Sequence, residues 1–237
     1  MSNPFEAPGT GQYRVRRPQA AEAMVVAEIA VHLGALRQHR LYAEECFQVE
    51  NVIAGVAASM DAYDRSTACH QVRVAKIACA VARELGWVEE QAQALRVASL
   101  LHDVGKMSVA PEILNKPGRL NAEESARVRL HVEAGYAVLK DIPFPWPIAE
   151  VVRQHHERMD GSGYPRGLKG DKILPMARVL AVADVLDGMT SARSYRPALE
   201  LEVVLVELES QADTLLDAET TERCVSLFRE KKCKLPS

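Results

Sequence analysis

Apolar positions recur at helical spacing along most of this chain. The clearest run follows Asp64-Arg-Ser-Thr, a helix-capping sequence. Val72, Ala75, Ile77, Ala78, Val81, Ala82 and Leu85 then keep to a helical repeat until Gly86 ends it. Upstream, Pro18 to Leu36 predicts a helix with Val25, Ile29 and His32 or Leu33 on one face, and Leu41 to Met60 predicts a second. Residues 1 to about 17 read as a tail. Downstream, Glu89 to His102 predicts a helix that stops near Gly105, and Pro111 to Leu120 reads as a loop with Asn-Lys-Pro-Gly turn chemistry. Asn121 caps a helix through about Lys140, with Glu124 completing a capping box. Pro143, Pro145 and Pro147 break the chain before a helix from Ile148 to Glu157. After a loop from Gly161 to Gly170, Pro175 opens a helix to about Ser191. Two last helices are predicted near Ala198 to Ala212 and Ala218 to Lys231. No run alternates as a strand would, so the expected fold class is all-α.

Composition agrees with a packed helical body. Hydrophobic residues make up 48% of the 237 residues and charged ones 26%, enough apolar surface for a core. Aromatics are only 5%, so the helices are expected to pack through small and branched aliphatic side chains. A formal net charge of −3 gives no general pull toward nucleic acid or an anionic membrane, so any phosphate-binding surface must be local. The five cysteines (Cys46, Cys69, Cys79, Cys224, Cys233) include no Cys-x-x-Cys pair, which disfavours disulfides and thiolate zinc and suits a reducing cytoplasm. Met1 to Thr10 is polar and predicts no secretory signal. Ala23 to Leu36 is too short and too charged to span a bilayer.

The candidate chemistry lies in the histidines. Of seven, His32 and His39 read as ordinary surface or core residues. His70, His102, His131, His155 and His156 lie on or near helices that can converge in a bundle, and carboxylates accompany them in His102-Asp103 and His155-His156-Glu157. Adjacent residues on a helix point about 100° apart, so one ion can take both members of such a pair only near a helix end or in a wide site. A carboxylate that bridges two ions relaxes this limit. Two metals roughly 3.5–4 Å apart are a standard device for hydrolysing phosphodiesters. Imidazole and carboxylate without thiolate suit iron, manganese, zinc or nickel.

The stretches HDVGK (His102 to Lys106), NKPG (Asn115 to Gly118), HHERMDGSGYP (His155 to Pro165) and ADVLDGMTSARSYR (Ala183 to Arg196), in this order after His70, resemble the HD-GYP branch of the HD superfamily of metal-dependent phosphohydrolases. The likeness runs from about Asp64 to Pro197. It implies an HD-domain-like helical bundle over residues 61–237, with residues 1–60 as an N-terminal tail and helical extension. By this resemblance His70, His102, Asp103 and Asp184 hold one metal, and Asp103 bridges to a second held by His131, His155 and His156. Lys106, Arg193 and Arg196 face substrate phosphates, Tyr164 lines the substrate site, and Asp103 and Lys106 carry the catalysis. Some family members bind a third metal through a Glu four residues before the first histidine. Ser66 stands there, so two metals are expected, with Asp64 as a possible acceptor nearby. Gly161, Gly163 and Tyr164-Pro165 would let the backbone turn sharply and wall the second metal. Asp160 reads as a turn former and Cys69 as an inert thiol.

The implied function is a bacterial cyclic di-GMP phosphodiesterase that yields linear dinucleotide, GMP or both by a two-metal-activated hydroxide. Two divalent ions, iron or manganese before zinc or nickel, are the implied cofactors. Diguanylate cyclase (GGDEF-type) domains are implied partners of the GYP segment, a homodimer is a reasonable expectation, and neither nucleic acid nor membrane is expected as a partner. Two other readings stand beside it: an HD phosphohydrolase of another nucleotide, and a signalling adaptor that binds cyclic dinucleotide or a cyclase with little turnover.

Overall fold

The computed structural model describes residue 55 and residues 70–192, 197–230 and 233–236. Apart from Gly55, the elements predicted in residues 1–60, together with His32, His39, Cys46, Asp64, Ser66, Cys69, Arg193 and Arg196, lie outside the described residues.

Within residues 70–230, as far as these are described, helical periodicity becomes α1 (His70–Glu84), α2 (Glu89–Leu101), α3 (Pro111–Leu114), α4 (Ala122–Arg129), α5 (His131–Leu139), α6 (Ile148–Gln154), α7 (Pro175–Thr190), α8 (Leu201–Gln211) and α9 (Ala218–Arg229). A 3-10 turn, Val104–Ser108, follows α2. No strand occurs among the described residues, only an isolated bridge between Ala212 and Leu216. The helix boundaries have local causes. Gly86, at φ +76°, terminates α1 in the left-handed region. Asn121 caps α4 through the amide of Glu124 at 2.8 Å, and the Glu124 carboxylate takes the Asn121 amide at 2.8 Å. Pro175 stands in the first turn of α7, and Asp217 caps α9.

α7 is apolar almost all round. Ala177, Val179, Leu180, Ala181, Val182, Ala183 and Leu186 are all buried, so the helix can only be stable at the centre of a bundle. α1, α2, α6, α8 and α9 pack on it. Ala75, Ala78 and Ala82 of α1, and Ala94 and Ala98 of α2, are at most 1% exposed. These small residues let α1, α2 and α7 approach closely, which is the packing the composition implied.

Three local expectations are corrected. The loop expected over Pro111 to Leu120 contains the single helical turn α3, opened by Pro111 in its first turn. The helix expected from Asn121 to Lys140 breaks at Leu130 into α4 and α5. The cause is His131, whose imidazole takes the Val128 carbonyl at 2.7 Å and so competes for an acceptor of the backbone ladder. The helix expected to reach Glu157 ends at Gln154, because His155 caps it by the same device.

Candidate metal centre

Three of the ligand histidines sit at helix ends, and Asp184 lies within α7. His102 follows the last residue of α2, His155 follows the last residue of α6, and His131 follows the break after α4. Each turns its Nδ1 onto the carbonyl three residues back: Ser99 at 2.7 Å, Val152 at 2.6 Å and Val128 at 2.7 Å. These carbonyls belong to last turns, where acceptors lack intrahelical partners. A carbonyl can only accept, so Nδ1 carries the proton and Nε2 presents a lone pair to the centre. The C-termini of α2 and α6 thus turn their partial negative charge toward one place, which favours a cation there.

The side chains form two groups around Asp103. In the first, His70 Nε2 lies 3.1 Å from Asp184 Oδ1, and His102 Nε2 lies 3.9 Å from the same oxygen. Asp103 Oδ2 faces this group, 3.3 Å from His102 Nε2 and 3.9 Å from His70 Nε2. In the second, the donor nitrogens of His131, His155 and His156 lie within 4.8 Å of one another. Asp103 Oδ1 stands 3.3 Å from His131 Nε2. The two oxygens of one carboxylate therefore address different groups, as a bridging ligand must.

The donor set fits divalent cations. His131 Nε2 and His155 Nε2 face each other at 3.4 Å, although both Nδ1 atoms already hold the ring proton. His102 Nε2 is buried with no hydrogen-bond partner and faces carboxylate oxygens of Asp103 and Asp184. Buried acceptors set against acceptors are costly in themselves, and a shared cation is what satisfies them. The charge states agree. Burial, then His102 and His131, push His155 down to about 3, and burial lowers His131 and His156 too. These imidazoles are neutral at physiological pH, as ligands must be. Burial would raise Asp103, yet Lys106, His102 and His131 hold it well below the usual carboxylate range. His70 moves oppositely: burial lowers it, but its hydrogen bonds to Asp184 and Asp187 outweigh that and raise it to about 9.

Three residues that the sequence reading did not place in the centre hold it in position. Asp187 accepts the Nδ1 proton of His70 at 2.6 Å. Arg73 clamps the same carboxylate through Nε at 2.6 Å and a terminal nitrogen at 3.1 Å, and also reaches Ser191 Oγ at 3.0 Å. The signal was present in the chain: Asp187 follows Asp184 by three, and Arg73 follows His70 by three, so each pair shares a helix face. Glu157, read beforehand only as a carboxylate beside the histidine pair, is buried and accepts the amides of Arg166 at 2.8 Å and Leu168 at 2.8 Å. It anchors the GYP loop.

The loop behaves as its composition implied. Gly161 has φ +87°. A Cβ on Gly163 would lie 2.5 Å from the His156 carbonyl oxygen, so only glycine lets the loop fold back on its own histidines. Tyr164 then stacks on His156 with ring centres 4.8 Å apart and walls the second group. Asp160 accepts the Ser162 amide at 2.8 Å, a turn-forming bond. Lys106 places its ammonium 2.7 Å from Asp103 Oδ2, at the edge of the centre. His70, His102, Asp103, His131, His155, His156, Asp184, Lys106 and Tyr164 are thus brought together, and Arg193 and Arg196 lie outside the described residues.

The chain is similar to known proteins over most of its length. Residues 29–220 match the HD domain family. The chain is 34% identical over 192 residues to 3'3'-cGAMP-specific phosphodiesterase 3 of Vibrio cholerae, covering 79% of this chain and 42% of that protein. It is 35% identical over 185 residues to the cyclic di-GMP phosphodiesterase response regulator RpfG of Xanthomonas campestris, covering 77% and 48%. The chain thus spans less than half the length of these two relatives. Among solved structures, an HDG"Y"P protein from Bdellovibrio bacteriovorus shares the fold, with a TM-score of 0.59 and 16% identity over 92% of this chain and 75% of that one. The chain belongs to the HD domain family.

Proposed function

We propose that this chain is a metal-dependent phosphodiesterase that hydrolyses cyclic di-GMP or a related cyclic dinucleotide to linear dinucleotide, GMP or both. The observation that carries this reading is one buried carboxylate, Asp103, shared by two histidine-rich groups. The substrates named for its relatives support it. His70, His102 and Asp184 hold one divalent ion, His131, His155 and His156 hold another, and Asp103 serves both. Such ions supply Lewis acidity toward phosphoryl oxygens and lower the pKa of an attacking water. Iron or manganese is the preferred pair, and zinc or nickel suits the same atoms.

The chain's own residues set up the rest. Lys106 brings a point charge beside Asp103, where negative charge grows on a phosphoryl group. Tyr164 closes one wall of the centre and contacts the substrate. Arg193 and Arg196 bind substrate phosphate. Cys79, Cys224 and Cys233 form no disulfide among the described residues, which suits a cytoplasmic location. No helix among the described residues is long and apolar enough to cross a membrane. Diguanylate cyclase domains docking at the GYP loop, and pairing of two copies, complete the proposal, with residues 1–60 as an extension to the catalytic body.

The test is expression without oxygen, metal analysis, and assay of the same sample on cyclic di-GMP and 3'3'-cGAMP. About two ions per chain with turnover to linear dinucleotide or GMP is the expected result. Two ions without turnover of either substrate would replace the enzyme with an adaptor. No bound metal would remove the ligand assignment.

A further inference from the structure

An arginine at the mouth of the centre has no part in the roles above. Arg129 ends α4, two residues before His131, and its side chain is exposed. Its guanidinium carbon lies 5.0 Å from the centre of the Tyr164 ring, and Tyr164 in turn stacks on His156 at 4.8 Å. His156, Tyr164 and Arg129 thus form a stack that leads from the second histidine group to solvent.

Neighbouring arginines are engaged elsewhere. Arg127 pairs with Glu123, Arg153 with Glu133 and Arg166 with Glu150. Arg158 donates to the carbonyls of His155 and Glu157. Arg129 forms no ion pair among the described residues and instead rests against a neutral ring. A guanidinium held by an aromatic ring keeps its hydrogen-bonding edge available, and that fork matches the two unesterified oxygens of a phosphodiester.

A cyclic dinucleotide carries two phosphodiesters. When one lies at the histidine cluster for cleavage, the other stands across the macrocycle, away from the metal ligands. Arg129 is likewise outside the ligand cluster, one aromatic ring removed from it. We propose that Arg129, seated on Tyr164, binds the second, uncleaved phosphodiester of the substrate, an assignment that rests on the phosphodiesterase reading above. It makes Arg129 a determinant of preference for cyclic dinucleotides over esters with a single phosphate.

The experiment uses the full chain loaded with manganese. Wild type, Arg129→Ala and Arg129→Lys are assayed on cyclic di-GMP and on bis(p-nitrophenyl) phosphate, which has one phosphodiester. Arg129→Ala is expected to raise KM for cyclic di-GMP about tenfold or more, with kcat held within about twofold. Arg129→Lys recovers part of the loss, because it restores charge without the fork. Neither variant changes hydrolysis of the single-phosphate ester. An unchanged KM for cyclic di-GMP overturns the assignment. So does an equal loss on both substrates, which would mean that Arg129 only supports Tyr164. Wild-type enzyme that cleaves the simple ester but no cyclic dinucleotide removes the cyclic-dinucleotide reading, and this assignment with it.

Discussion

The two halves of the centre share Asp103 and differ in almost everything else. The half made by His70, His102 and Asp184 is rich in carboxylate, and its first histidine is oriented by Asp187, distant in the chain and itself clamped by Arg73. The half made by His131, His155 and His156 is all imidazole. His131 and His155 are oriented by carbonyls only three residues away. The difference is electrostatic as well as topological. In the first half, acidic neighbours raise His70 to about 9. In the second, burial and imidazole neighbours push His155 down to about 3. One half attracts a cation by charge, and the other offers neutral lone pairs set by local backbone geometry. An ion in the first half should therefore depend on long-range packing through Asp187, and an ion in the second on the helix ends that carry His131 and His155 and on the loop behind them.

Breaking the shared element should have the largest effect. Asp103→Ala removes an oxygen from each half and leaves Lys106 without its 2.7 Å partner. The expected outcome is loss of both ions by elemental analysis and a fall in cyclic dinucleotide turnover larger than the ~100-fold upper range for an outer-partner change. Retention of one full ion would show that the carboxylate is not shared. The next variant separates the halves. Asp187→Asn keeps the size of the side chain but weakens the bond that orients His70. Metal titration should show one of two sites weakened ~10–100-fold and the other unchanged. Equal weakening of both would erase the contrast drawn above.

The smallest effect is expected from Glu157→Gln. An amide can accept only through one oxygen, so either Arg166 N–H or Leu168 N–H loses its acceptor, at a cost of about 1–3 kcal/mol. Hydrogen exchange should quicken at those two amides, and the second half should bind metal modestly less well. If the first half weakened instead, the loop would not be the support of the His131, His155 and His156 group.

Much of this was legible before any coordinates. Apolar spacing marked α1, α2, α7, α8 and α9 to within a few residues, because a helix must turn its apolar stripe toward the core wherever it packs. The capping box at Asn121 and Glu124 marked the start of α4 for an equally local reason. The ligands were legible as histidines and aspartates in a known order of motifs. The ends of the ligand-bearing helices were not: periodicity carried α6 through His155 and joined α4 to α5. What ends these helices is an imidazole taking a backbone carbonyl, and apolar spacing is blind to that competition.

The sequence by itself determined the all-helical class, which follows from local periodicity, and it carried the family and the candidate ligand residues as a resemblance in short ordered motifs. Only the tertiary structure decided that Asp103 divides its two oxygens between two histidine groups, that Asp187 and Arg73 hold His70, that Glu157 ties down the GYP loop, and that Arg129 rests on Tyr164. The physical reason is reach. A side chain's partner across 117 residues, as for His70 and Asp187, is chosen by how α1 and α7 pack and not by either helix alone.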